Sequence, residues 1–205
     1  MYKRQVEVVV SHHLIAFLDM AYQGFGDGLD DDAYLVRALV RAGASFLVAN
    51  SYSKTFSLYG ERCGALSMVC ANADEAGRAL GQMQQAVRRN YSSPPAFGAS
   101  LVETVLNDAE LAALWRTELA EMRTRIQTMR SRLHHGLCTQ QPNVDWAFLM
   151  AQKGMFGYAP VLARHMMQLR NEHAVYIIES GRICVAGLNE ANVDRVAEAF
   201  AAVLK

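Results

Sequence analysis

Short, almost unbroken apolar runs near the N-terminus constrain this fold most. "LIAFLDMAYQG", residues 14–24, is apolar up to one acid and a glycine, and predicts a buried strand entering a loop. "DDDAYLVRALVRAG" opens on acids, places Tyr34, Leu35, Leu39 and Val40 at helical spacing and stops at Gly43, which predicts a capped helix of about ten residues. "SFLVANSYS" and "CGALSMVCA" predict two further strands. Apolar strands alternating with amphipathic helices imply an α/β fold with a mostly parallel sheet covered by helices. In such sheets the functional residues collect at the carboxyl ends of the strands, where Asp19 and Lys54 fall.

The rest of the chain changes character. "ADEAGRALGQMQQAVRRN" and "AFGASLVETVLND" predict helices around the turn "YSSPP". "AELAALWRTELAEMRTRIQTMRSRLHHGL" is the longest helical pattern, with Gly136 as its expected close and a second domain beyond it. After it, "DWAFLMAQKGMFGYAP" predicts strand, turn and strand. "VLARHMMQLRNEH" predicts a helix, "AVYIIESGRICVAGLN" a strand pair around Gly181, and "EANVDRVAEAFAAVLK" a closing helix. The expected domains are 1–118 and 119–205, the second a small α+β unit.

With 52% apolar residues and a formal net charge of zero, the chain can bury a sizeable core and carries no basic field for nucleic acid or an anionic membrane. It has no long uninterrupted apolar run, and its N-terminus makes a poor signal peptide, so a cytoplasmic location is expected. Cys63, Cys70, Cys138 and Cys184 form no CxxC pair and are expected to be reduced core thiols. The pairs His12–His13 and His134–His135 lack zinc-site spacing, and no metal is expected.

The chemistry concentrates in "NSYSKTFSLYGERCG", residues 50–64. Lys54 sits there among Ser51, Tyr52, Ser53, Thr55 and Ser57, in a chain rich in arginine and poor in lysine. A lysine at a strand end, partly desolvated and near a cation, is a candidate imine-forming nucleophile. Arg62 offers a planar fork for a phosphate, and Ser51 and Ser53 add hydroxyl donors. Asp19 needs a cationic partner, which a pyridinium nitrogen would supply. Together these are the protein side of a pyridoxal phosphate site. Each residue also has a plainer role: Lys54 as a solvated lysine, Asp19 as a cap or ion-pair partner, Arg88 and Arg89 as cations favoured at a helix end, Phe156 as core.

"SYSKTFSLYGERCG" with "FLDMAYQGFG" upstream resembles the class I aminotransferases of pyridoxal phosphate fold type I, within them the aspartate and aromatic (tyrosine) subgroup. "VRRNYSSPPAFGA", "KGMFGY" and "ESGRICVAGLN" resemble the same subgroup in the same order, and "SKTFSLYGER" favours its aromatic branch. The resemblance implies the C-terminal part of a fold-type-I large domain plus a small C-terminal domain. It implies pyridoxal phosphate on Lys54, Asp19 at the pyridine nitrogen, Tyr22 at the cofactor O3′, and Ser51 and Arg62 on the phosphate. It also implies Arg182 on the substrate α-carboxylate, Arg88 reaching a dicarboxylate's distal group in a neighbouring subunit, and Phe156 in the substrate pocket. Amino-acid and 2-oxo-acid substrates, with 2-oxoglutarate as common acceptor, and a homodimer follow from it. Ala16 stands where the family usually has proline and Cys63 where valine is usual, both packing changes. Enzymes of this family are about twice as long, and the motifs here are those of the C-terminal half. The alternatives are therefore a non-catalytic remnant or one half of a split enzyme; a lyase or decarboxylase of the same fold type ranks below both.

Overall fold

The structure, a computed structural model, describes residues 2–204. The described residues form two compact units, one of 2–24 with 28–119 and one of 25–27 with 120–204. The first holds helix α1 (Tyr2–Ser11), strand β1 (Ala16–Met20), helices α2 (Leu29–Asp32) and α3 (Tyr34–Arg41), strands β2 (Phe46–Ser51) and β3 (Gly64–Val69), and helices α4 (Ala73–Asn90) and α5 (Phe97–Asn107). Helix α6 (Ala109–Gln140) begins in the first unit and continues into the second. The second unit adds α7 (Ala147–Ala151), β4 (Phe156–Tyr158), α8 (Met166–His173), β5 (Arg182–Cys184) and α9 (Val193–Val203).

In the first unit, strands lie in the order β1-β2-β3. The β1–β2 ladder is parallel, as a helical crossover requires, whereas β2–β3 is antiparallel. The expected mostly parallel sheet is therefore mixed among the described residues. The reason is local: the lysine loop joins β2 to β3 without a helix, so the chain can only turn back. One sheet face is packed. Phe46 and Val48 on it, with Leu39 of α3, form a core against Val6 and Val9 of α1 and Leu18 and Met20 of β1. The other face carries Phe17, Asp19, Leu47, Ala49, Leu66 and Met68 in cross-strand rows. On it Phe17 is 66% exposed and Leu66 51%, so β1 is half-buried on one side and exposed on the other.

Helix α4 spans the expected segment, capped by the Asn72 side chain accepting from Glu75 N. The predicted helix of "DDDAYLVRALVRAG" is instead α2 and α3, meeting at Ala33 without a side-chain cap.

The second unit is built around α6. Ile126, Met129, Leu133 and Leu137 line its buried side, and Leu149, Leu162, Leu169, Val193 and Phe200 fill the core. Gly136 does not close α6; a Cβ there would lie 2.9 Å from the Ala197 Cβ, so this glycine lets α9 approach. "DWAFLMAQ" forms α7 rather than a strand, because it buries Leu149 one turn from Trp146. β4 pairs antiparallel with β5, but the first half of the expected strand pair, 174–179, forms no strand. The cysteines are unpaired and none is fully buried; Cys184 is exposed, so the expectation of core thiols does not hold. No helix among the described residues is long and apolar enough to cross a membrane.

Candidate active site

The lysine loop is closed at its base by the strand ladder and by Tyr52 N donating to Cys63 O at 3.1 Å. Gly64 is required there, since a Cβ would lie 2.5 Å from the Asn50 carbonyl oxygen. Lys54 sits inside one helical turn, in which Phe56 N donates to Tyr52 O at 3.1 Å and Ser57 N to Lys54 O at 3.3 Å. Its neighbours Ser53 and Thr55 are buried, so the turn is anchored on both sides of the lysine while Lys54 itself is partly open. Burial, and secondly the Cys63 thiol, pushes the Tyr52 phenol above its ordinary value.

A residue that sequence reasoning missed holds this turn. Trp115 of α6 donates its indole N–H to Thr55 O at 2.7 Å and stacks on Phe56 with centroids 4.6 Å apart and planes at 16°. In the sequence Trp115 is one more apolar position of a helical repeat; only its contact sixty residues upstream distinguishes it.

The register brings several expected site residues together. Asp19 pairs with Ala49, and Ser51 lies two residues further along β2, so both side chains fall on the open sheet face at the carboxyl ends of the parallel strands. Asp19 is exposed there, not enclosed as a buried strand would have made it. Beyond β1, Gln23 Nε2 donates to Leu29 O at 2.8 Å and Gly24 N to the Asp32 carboxylate at 2.7 Å. Gly24 has φ +92°, and a Cβ would lie 2.7 Å from a methyl of Leu119. These contacts fix the loop carrying Tyr22, and the Lys54 Nζ lies 4.7 Å from the centre of the Tyr22 ring. Ser51 Oγ accepts from Ser53 N at 3.3 Å and donates to Ser53 Oγ at 3.2 Å.

Arg62 occupies the left-handed region with φ 52°, uncommon for a residue with a side chain. Its Nη1 donates to Tyr59 O at 2.8 Å. The bend is pinned by Gly98 of α5, where a Cβ would lie 2.9 Å from Cys63 Cβ and 3.1 Å from Glu61 Cβ. Arg88, in the last turn of α4, donates to Ser92 Oγ at 2.6 Å, and among the described residues no hydrogen bond ties it to the Lys54 group. Ser51, Tyr52, Thr55, Phe56 and Trp115 help line a cavity of about 220 Å³, and Lys54 and Asp19 lie outside that lining.

In the second unit, the Arg182 guanidinium carbon lies 4.7 Å from the centre of the Phe156 ring. The pair is diagonal across the ladder, since Tyr158 faces Arg182 and Phe156 faces Cys184. Lys153 pairs with Asp27 and stays 60% exposed, a solvated surface pair.

Residues 2–200 match the family described as aminotransferase class I and II. The chain is 55% identical over 199 residues to the aromatic-amino-acid aminotransferase of Escherichia coli strain K12, covering 97% of this chain and 50% of that protein. It is 45% identical over 203 residues to an aspartate aminotransferase of Pseudomonas aeruginosa, covering 99% of this chain and 51% of the relative. The crystal structure of the aromatic-amino-acid aminotransferase of Burkholderia pseudomallei, covalently bound to pyridoxal phosphate, matches with a TM-score of 0.96 and 46% identity over 100% of this chain and 51% of that one. The chain thus spans about half the length of the curated relatives it matches. Similarity of this extent, running through the lysine loop, β1 and the Arg182 strand alike, makes the chain a member of the aminotransferase class I and II family.

Proposed function

We propose that this chain carries the lysine-bearing part of an aromatic or aspartate-type amino-acid aminotransferase, moving an amino group to a 2-oxo acid such as 2-oxoglutarate. The observation that carries the proposal is the Lys54 amine, partly open on an anchored turn and 4.7 Å from the Tyr22 ring, beside the face that bears Asp19 and Ser51. The donor set suits pyridoxal phosphate: an amine for its aldehyde, a carboxylate for its ring nitrogen, a phenol for its O3′, and a hydroxyl with a guanidinium for its phosphate. When bound, that cofactor supplies an electron sink for charge developing at the substrate Cα.

The chain's own residues would do the rest. Lys54 would hold the cofactor and then carry the proton to and from the substrate Cα. Asp19 would keep the ring nitrogen protonated, and Tyr22 would donate to O3′. Ser51 and Arg62 would grip the phosphate; Arg62 spends one donor on Tyr59 and keeps others of its fork. Arg182 would take the α-carboxylate in a bidentate pair over Phe156, and Arg88 the distal carboxylate of a dicarboxylate in a neighbouring subunit. In this reading 1–118 belongs to the cofactor-binding large domain, 119–205 is the small C-terminal domain, and the working assembly is a cytoplasmic homodimer.

A second reading has a specific observation in its favour. Ile15 is 78% exposed and Phe17 66%, and Leu66 and Met68 extend the same apolar face. The β1–β2 pair of this mixed sheet is parallel, and parallel pairs are ordinarily covered on both faces. This favours a half that needs the remaining part of the relatives' fold for activity, or a remnant without any.

The test is to add pyridoxal phosphate to the chain, reduce with borohydride and map the adduct by mass spectrometry. Label at Lys54, lost in Lys54→Ala, supports the site and calls for transamination assays. Label absent, or spread over Lys3, Lys153 and Lys205, overturns cofactor binding by this chain alone.

A further inference from the structure

Arg130 is the one buried charged residue among the described residues, 4% exposed. A buried guanidinium must be fully hydrogen-bonded, and its acceptors are backbone carbonyls. Nη1 donates to Leu149 O at 3.3 Å, and Nη2 to Gly154 O at 2.7 Å and Phe156 O at 2.8 Å. These carbonyls mark the body of α7, the turn at Gly154 with φ +80°, and the first residue of β4. Burial lowers the guanidinium below its ordinary value, the cost of placing a cation there.

The surroundings are built around this cation. Gly157 leaves room for it: a Cβ there would lie 3.4 Å from Arg130 Nη1 and 3.0 Å from Ile183 Cγ1. The Gln152 amide closes the same turn, donating to Tyr158 O at 2.9 Å and accepting from Tyr158 N at 2.6 Å. Tyr158 in turn pairs with Arg182 across the ladder. A chain of fixed contacts therefore runs from Arg130, through the Phe156 backbone, to the ring beneath Arg182.

We infer that Arg130 is a positioning residue for Arg182, holding the Phe156 ring as the platform that keeps the exposed Arg182 guanidinium in one plane. This rests on the reading of Arg182 as the carboxylate-binding residue. A bidentate grip needs the guanidinium fork presented in a defined plane, and a free arginine side chain loses substantial rotamer entropy in adopting it. Stacking on an aromatic face removes part of that loss before ligand arrives. Arg130 touches no substrate in this scheme; it acts through Phe156.

The experiment uses the full chain with labelled arginine. The Arg182 Nε–H signal is identified by its loss in Arg182→Lys, and Phe156→Leu gives its position without the ring current. Arg130→Met is expected to move the signal to the Phe156→Leu position. It is also expected to weaken 2-oxoglutarate binding, followed at the same signal, by about two- to tenfold, the cost of ordering one free side chain. Arg130→Lys, which reaches fewer of the carbonyls, should fall between. A folded Arg130→Met whose Arg182 signal and titration match the unchanged chain overturns the inference. Should Arg130→Met fail to fold, the unchanged chain decides: slowly exchanging Nη protons of Arg130 with cross-peaks to Gly154 and Phe156 support the clamp, and rapidly averaged ones overturn it. If 2-oxoglutarate leaves Arg182 of the unchanged chain unmoved, the carboxylate role of Arg182 falls, while the ring-current comparison still decides whether Arg130 positions it.

Discussion

Replacing Trp115 tests how the lysine turn is held. Trp115→Phe keeps an aromatic ring for Phe56 to stack on but removes the N–H that Thr55 O accepts at 2.7 Å. A net hydrogen bond contributes about 1 kcal/mol, and leaving a part-buried carbonyl without its donor adds to that, so the expected cost is about 1–2 kcal/mol. Trp115→Ala also loses the stack, worth about 0.5–1.5 kcal/mol, and the apolar burial of a half-buried indole, for about 3–4 kcal/mol in all. Urea unfolding followed by far-UV circular dichroism measures both. With a slope of about 1–2 kcal/mol per molar for a unit of this size, Trp115→Phe should lower the first unit's midpoint by about 1 M. The sequence has two tryptophans, so fluorescence of these variants reports Trp146, in the second unit, where no change of midpoint is expected. Borohydride labelling of Lys54 should fall in the order unchanged chain, Trp115→Phe, Trp115→Ala. A Trp115→Phe midpoint within about 0.2 M of the unchanged chain would refute the role given to the hydrogen bond. Equal losses in the two variants would refute the role given to the stack.

Three further outcomes follow from the same geometry. Gly98→Ala drives a methyl to within 2.9 Å of Cys63 Cβ, and should cost about 1–3 kcal/mol in urea unfolding while the equally helical Gly81→Ala, which meets nothing within 4 Å, costs nothing. Gly181→Ala combines φ +81° with a Cβ 2.5 Å from the Ala159 carbonyl oxygen; it should lower stability by about 1–3 kcal/mol and disturb the Arg182 Nε–H signal. The Tyr52 phenol is raised by burial, so the folded chain holds that proton more tightly than the unfolded one. Its contribution is complete below about pH 10 and is lost as pH rises through the folded value; Tyr52→Phe should therefore flatten the alkaline fall in urea midpoint, and an unchanged slope would count against it.

Much of this architecture was legible from residue order. The apolar runs of β1, β2 and β3 and the amphipathic patterns of α4, α5 and α9 lie where periodicity predicts, because each is decided by its own residues. Elements whose state depends on a partner were not legible. "AFLMA" is helical because it buries Leu149 against the second unit's core, although its composition suits a strand equally well. "AVYIIES" has strong strand propensity, yet a strand exists only where a neighbour supplies the ladder, and β4 reaches only Arg182–Cys184. Gly136 resembles a helix stop until α9 is seen packed against it.

The same division runs through the site. Lys54, Asp19, Tyr22, Ser51, Arg62 and Arg182 could be nominated from the chain alone, because an amine, acids, hydroxyls and guanidinia carry their chemistry in their identity and their order matches a family pattern. What folding decided was placement: the parallel register that puts Asp19 and Ser51 on one face, the turn that brings Lys54 to Tyr22, and the ladder that lays Arg182 over Phe156. Trp115 and Arg130 belong wholly to that second category. Both are ordinary positions of a helical repeat, and both gain their roles from carbonyls distant in sequence, Thr55 for one and Gly154 and Phe156 for the other. A backbone carbonyl is present at every residue, so only the tertiary fold determines which ones a buried donor must satisfy.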